Sequence, residues 1–108
     1  MSETKHFPDT YVVVDLETTG LQPSKDRILE IGAVKVVNGE VVDPFCTFVD
    51  PRMVIPEKIQ QLTGITQEMV EGQSLAEKAI ADFLVFSDGM LLMGHNLLFD
   101  YSFLKHQA

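Results

Sequence analysis

The dipeptide Asn38-Gly39 constrains what this chain can fold into more than any other pair of residues. A tight primed turn needs positive φ at both central positions, and Asn followed by Gly meets that demand at low steric cost. Before the turn, an extended run over about residues 27–37 contains Ile-Leu-Glu-Ile-Gly-Ala-Val-Lys-Val at 28–36. After it, a return strand covers about residues 40–49, with Pro44 suited to an edge or a bulge. An earlier β-branched and aromatic run, Tyr-Val-Val-Val at 11–14, reads as a strand buried on both faces. Three strands in this succession form a largely antiparallel meander, which argues against a plain doubly wound parallel sheet.

Asp15 and Glu17 follow the first strand directly, before the chain breaks at Gly20. Side chains alternate along a strand, so both carboxylates point to one side, about 6–7 Å apart. Two negative charges held together at the end of a buried strand repel and lose water, and a divalent cation would compensate them. The other reading is that the strand has run out into solvent and the acids are surface groups. Spacing alone fits both.

The rest of the chain reads as short helices and one more strand. Pro56 suits a first helical position, Ile59 and Leu62 make a short apolar stripe, and Gly64 ends the helix. Thr66 can cap a further turn containing Met69 and Val70, and Ser74 with Glu77 reads as a capping box. The helix that follows, to about Ser87, places Leu75, Ala76, Ala79, Ile80, Phe83 and Leu84 on a core face. Asp88-Gly89 then turns the chain into a short buried strand at 90–93, and a helix begins near Leu98. Between them lies Gly94-His95-Asn96, with Asp100 in the first turn of that helix. Asp100 could simply complement the helix N-terminus, but the first strand already presents two acids that need a counter-ion.

At 108 residues the chain is at most one domain with a modest core, after a polar leader over residues 1–10. No apolar run reaches membrane-spanning length, and the leader lacks a signal peptide's hydrophobic segment, so a cytoplasmic protein is the expectation. The single cysteine, Cys46, excludes an internal disulfide framework. A net charge of −8 argues against a passive nucleic-acid coat, yet bound cations could reverse the sign locally at a phosphodiester site.

Four segments occur in order: Val-Asp-Leu-Glu-Thr-Thr-Gly-Leu (14–21), Ile-Leu-Glu-Ile-Gly-Ala-Val-Lys-Val (28–36), Leu-Thr-Gly-Ile-Thr (62–66) and Gly-His-Asn-Leu-Leu-Phe-Asp-Tyr-Ser-Phe-Leu (94–104). Together they closely resemble the DEDD superfamily of 3′→5′ exonucleases, nearest to the proofreading exonuclease subunit or domain of bacterial replicative polymerases. The resemblance implies an α/β, ribonuclease H-like mixed sheet: the three-stranded meander plus parallel strands with helices. It implies that Asp15, Glu17 and Asp100 are the catalytic acids and ligate Mg²⁺ or Mn²⁺, two ions in a complete domain. It also implies that Thr18, Thr19, Gly20, Leu62, Thr63, His95 and Asn96 line the substrate. Leu62 would be a wedge against the terminal base, Thr63 a contact or a structural group, and Glu30 a supporting acid. The implied reaction releases nucleoside monophosphates from the single-stranded 3′ end of DNA or RNA, with polymerase subunits as possible partners.

The resemblance breaks after Asp100. The family's third motif, His-x-x-x-x-Asp, is missing, and neither His106 nor His6 replaces its histidine. The expectation is therefore a piece of a longer exonuclease, nearly inactive alone, with core around Leu84, Phe99, Phe103 and Leu104 uncovered and available for self-association. The alternative is a short relative acting as a non-catalytic nucleic-acid or protein-binding module. A haloacid-dehalogenase-type phosphatase fits worse, since its second acid is normally Asp and its start is a parallel βαβ unit.

Overall fold

The computed structural model describes residues 9–108. Strands β1 (Tyr11–Thr18), β2 (Ile28–Val37) and β3 (Glu40–Phe48) form the expected antiparallel meander. Asn38 and Gly39 turn it, with φ of 53° and 79°. Helices α1 (Glu57–Thr63), α2 (Gln67–Val70) and α3 (Ala76–Phe86) follow, then β4 (Leu92–Met93) and α4 (Leu97–Gln107). β4 joins β1 in parallel, giving a mixed sheet of order β3-β2-β1-β4 with Pro44 on the edge strand. Most of the leader expected at residues 1–10, including His6, lies outside the described residues. Asp9 and Thr10 are tied to the hairpin: the Gly39 N–H donates to the Asp9 carbonyl at 2.8 Å and the Asn38 N–H to Thr10 Oγ1 at 3.3 Å.

The main core lies between one sheet face and helices α3 and α4, where Val12, Val14, Leu16, Ile31, Phe83 and Phe103 pack together. A smaller cluster holds Leu29, Ile55, Ile65 and Val70 beneath the two short helices. The β1–β2 register shifts between Glu17 and Thr18. This irregularity lets the consecutive residues Ile28 and Leu29 enter different clusters.

Several local expectations are corrected. β1 is buried on one face only: Val12, Val14 and Leu16 point inward while Val13 and Asp15 are exposed, because helices cover a single side. Regular pairing in β4 covers only Leu92–Met93, and Met93 is exposed on the same open side. Ser74 caps nothing. Leu75 is the N-cap of α3, and the backbone of Ser74 is held extended by a bridge to Val49 and by accepting from the Asp50 N–H. On α3, Ala79, Ile80 and Phe83 are buried, but Leu75 and Leu84 are exposed. Phe103 and Leu104 are buried rather than uncovered, since α4 lays them against β1 and α3. Pro56 sits at the N-cap of α1, one position before the helix. Thr66 does cap α2, accepting from the Met69 N–H.

Candidate functional site

Strand alternation sends Asp15 and Glu17 out of the same face of β1, opposite Gly32 and Glu30 of β2. Asp15 is exposed and Glu17 half-buried. The third acid comes from α4: Asp100 is 3% exposed, and its N–H donates to the Asn96 carbonyl at 3.1 Å in the first turn. Gly94, three residues before that helix, is where the chain comes close to β1. A Cβ on it would stand 2.7 Å from the Val14 carbonyl oxygen and 3.8 Å from Asp100 Oδ2. Only a residue without a side chain lets the end of β4 pass so close to β1 just before Asp15, and so brings Asp100 to the other two acids.

Glu17 and Asp100 both feel the acids around them. Burial lifts the Asp100 carboxyl to about 6, and the charges of Asp15 and Glu17 push the same way. Burial also raises Glu17, followed by repulsion from Asp15 and then Glu30. The ion pair formed among the described residues is Lys78–Asp82, within α3, and none of them pairs a basic side chain with Asp15, Glu17 or Asp100. Among the described residues, no three His, Cys, Asp or Glu side chains already close into a metal cage. The donor set nevertheless fits a hard divalent cation. It is carboxylate oxygen throughout, mutually repelling and short of positive charge.

The loop after β1 is held from inside. Thr19 is buried: its N–H donates to the Arg27 carbonyl at 2.9 Å, and its hydroxyl donates to Asp26 Oδ1 while accepting from the Arg27 N–H at 3.0 Å. Of the substrate-lining candidates here, Thr19 thus supports the loop, leaving Thr18 and Gly20 nearer the surface. The Thr18 hydroxyl donates to the Gly20 carbonyl at 2.6 Å. A Cβ on Gly20 would overlap the Asp26 carboxylate, which also accepts from the Gln22 N–H.

Leu62 and Thr63 separate cleanly. Leu62 is 78% exposed, so α1 does not use it as core. The Thr63 hydroxyl donates to the Ile59 carbonyl at 2.8 Å and accepts from the Ile65 N–H at 3.1 Å, so it is engaged within the chain. His95 and Asn96 are exposed beyond β4, and Asn96, the N-cap of α4, makes no side-chain cap bond. Sequence reasoning missed Asp26 and Gln107. Asp26 stands in an ordinary turn-rich segment, and Gln107 meets it across 81 positions, a contact for which a single sequence carries no signal.

The sequence model of the exonuclease family matches residues 12–108. The chain belongs to this family. Its ribonuclease H-like sheet and its likeness to DEDD exonucleases agree with the motifs at 14–21 and 94–104. A PolC-type DNA polymerase III of Clostridium perfringens is 50% identical over 99 residues, 92% of this chain and 7% of the polymerase. The 3'-5' exonuclease DinG of Bacillus subtilis is 39% identical over 98 residues, 90% of this chain and 10% of that protein. Among solved structures, exonuclease X in complex with 5' overhanging duplex DNA superposes with a TM-score of 0.74 at 29% identity, covering 85% of this chain and 52% of that one. This chain therefore spans a small fraction of the curated relatives it matches. Among the described residues, no helix is long and apolar enough to cross a membrane.

Proposed function

We propose that the chain carries the greater part of the active site of a divalent-metal-dependent 3′→5′ exonuclease, one that removes nucleoside monophosphates from single-stranded 3′ ends of DNA or RNA in proofreading or repair. The observation that carries this reading is that Asp15 and Glu17 act electrostatically on Asp100, with Asp100 buried, its carboxyl lifted to about 6, and no ion pair to any of the three among the described residues. In this reading the three carboxylates hold Mg²⁺ or Mn²⁺. When bound, the cations neutralise the scissile phosphate and activate the attacking water.

The chain's own groups do the rest. Asp15, Glu17 and Asp100 would hold the cations, and the scissile phosphate would be held through those ions, since carboxylates alone repel it. Thr18 and Gly20 offer backbone to the terminal nucleotide, and exposed Leu62 packs as a wedge against its base. His95 and Asn96 shape the opposite wall, with the free Asn96 amide available to a phosphate or sugar. Residues 11–108 act as one part of an exonuclease domain in a cytoplasmic protein, with polymerase subunits among its partners. Because no acid follows Asp100 in this sequence, the isolated chain should hydrolyse DNA at least about 10²-fold more slowly than a complete site. Exposed Val13 and Met93, paired neighbours on the open face of the sheet, support self-association.

Calorimetric titration with Mn²⁺ tests the reading. Wild type should take up the ion and Asp15→Ala should not. Equal behaviour of the two, with the variant folded, would leave the non-catalytic binding module as the better account.

A further inference from the structure

We infer that Gln107 is a positioning residue for the acidic site: its side-chain amide clamps the backbone at residues 26–28 and so fixes α4, which carries Asp100, to the loop that leaves β1 behind Glu17. The inference rests on the proposed function for what is positioned, and on geometry for the clamp itself.

The Gln107 Nε2–H donates to the Asp26 carbonyl at 2.7 Å, and Gln107 Oε1 accepts from the Ile28 N–H at 3.3 Å. A carbonyl and an N–H two residues apart, flanking one residue, are the pair that a parallel strand neighbour would engage. Gln107 therefore replaces a strand residue along one edge of Arg27. The opposite edge of Arg27 is held by Thr19, through the Thr19 N–H to the Arg27 carbonyl and the Arg27 N–H to the Thr19 hydroxyl. Residues 26–28 are thus pinned between the last turn of α4 and a residue two positions after Glu17.

The place of the clamp gives it consequence. Thr18 pairs with Ile28 just beyond the point where the β1–β2 register shifts, so the ladder is weakest where Glu17 leaves it. The Asp26 carboxylate carries the constraint further, taking the Thr19 hydroxyl and the Gln22 N–H and lying against Gly20. One amide thereby couples the element bearing Asp100 to the element bearing Asp15 and Glu17. Hydrogen bonds made directly to metal ligands are worth about 10–100-fold in metal affinity, and the clamp, which acts on the ligands through the backbone, is expected at the lower end of that range.

Gln107→Glu in the full 108-residue chain is the decisive variant. At pH 7 its carboxylate faces the Asp26 carbonyl with no proton to donate. At pH 4 the neutral carboxylic acid restores one donor and one acceptor in the amide's place. Amide exchange at Thr19 and Ile28, referred to wild type at each pH, should lose protection at least about fivefold at pH 7 and recover at pH 4. Val34 and Phe45, in the meander, should stay as in wild type and report that the chain is folded. Gln107→Asn, one methylene too short, should lose protection at both pH values. Unchanged protection at Thr19 in both variants, or no recovery at pH 4, overturns the clamp. Mn²⁺ titration at pH 7 should show affinity about tenfold weaker in both variants, and unaltered affinity beside lost protection overturns the positioning role. A wild type that binds no Mn²⁺ defeats the proposed function instead, and exchange alone then decides whether the clamp exists.

Discussion

Glu17 and Glu30 stand directly opposite each other across the β1–β2 ladder, so that two acids share one step of an antiparallel pair. Like charges in that position destabilise a sheet by a few tenths to about 1 kcal/mol. Burial, Asp15 and Glu30, in that order, raise the Glu17 carboxyl. A raised acid pKa means that the folded state holds its proton more tightly, so stability is present at low pH and is lost as pH rises through the folded value. Glu30→Gln should therefore raise Tm by a few degrees at pH 7 and leave it unchanged near pH 3, as followed by thermal denaturation. An unchanged Tm at pH 7 would mean that the two side chains swing apart.

Asp100 gives a larger effect of the same sign. Its carboxyl moves from 3.8 to about 6 on folding, chiefly through burial. Between those values the native state binds more protons than the unfolded chain, so stability falls as pH rises and the whole penalty is in place above pH 6. At about 1.4 kcal/mol per unit the upper bound is about 3 kcal/mol. Asp100→Asn should accordingly melt higher than wild type at pH 7.5 and at a similar temperature at pH 3. Saturating Mn²⁺ should stabilise wild type but not the variant, and EDTA should remove the gain.

These acids were legible in the sequence because a strand's period of two leaves little freedom: once residues 11–18 are extended, Asp15 and Glu17 must share a face. The hairpin was legible for an equally local reason, the positive φ that Asn38 and Gly39 accept. What failed depended on distant partners. Val13 looked like core because it is β-branched, yet only its neighbours Val12 and Val14 lie beneath helices. Ser74 has a capping residue's chemistry, but its backbone is claimed by Val49 and Asp50. Leu62 matches an apolar helix stripe, yet α1 buries no residue at all.

Gly94→Ala tests whether the approach of β4 to β1 sets the site. The new methyl would stand 2.7 Å from the Val14 carbonyl, and backbone cannot yield as a flexible side chain would. Overpacking of this kind costs about 1–3 kcal/mol. It should also push α4 outward, so the Asp100 carboxyl should lose part of its burial and titrate closer to 3.8. NMR titration of the Asp100 carboxyl carbon in both proteins checks this, and an unmoved midpoint would show that α4 is placed independently of Gly94.

Leu62 and Thr63 are neighbours with opposite expected phenotypes. Leu62 is 78% exposed and contributes nothing to either core, so Leu62→Ala should change stability by less than about 0.5 kcal/mol. If the exposed side chain packs on a terminal base, the same substitution should weaken binding of a single-stranded oligonucleotide in Mn²⁺ by about 1–2 kcal/mol, roughly five- to thirtyfold, the burial lost with its methyl groups. Thr63→Ala removes a hydroxyl that bridges the Ile59 carbonyl and the Ile65 N–H across the end of α1. It should lower stability by about 1 kcal/mol, because the Ile65 N–H loses its acceptor beside a buried side chain. Its oligonucleotide affinity at temperatures well below Tm should stay near that of wild type. Urea denaturation and fluorescence anisotropy on the two variants separate the roles, and a binding loss in Thr63→Ala equal to that in Leu62→Ala would assign both residues to the substrate wall.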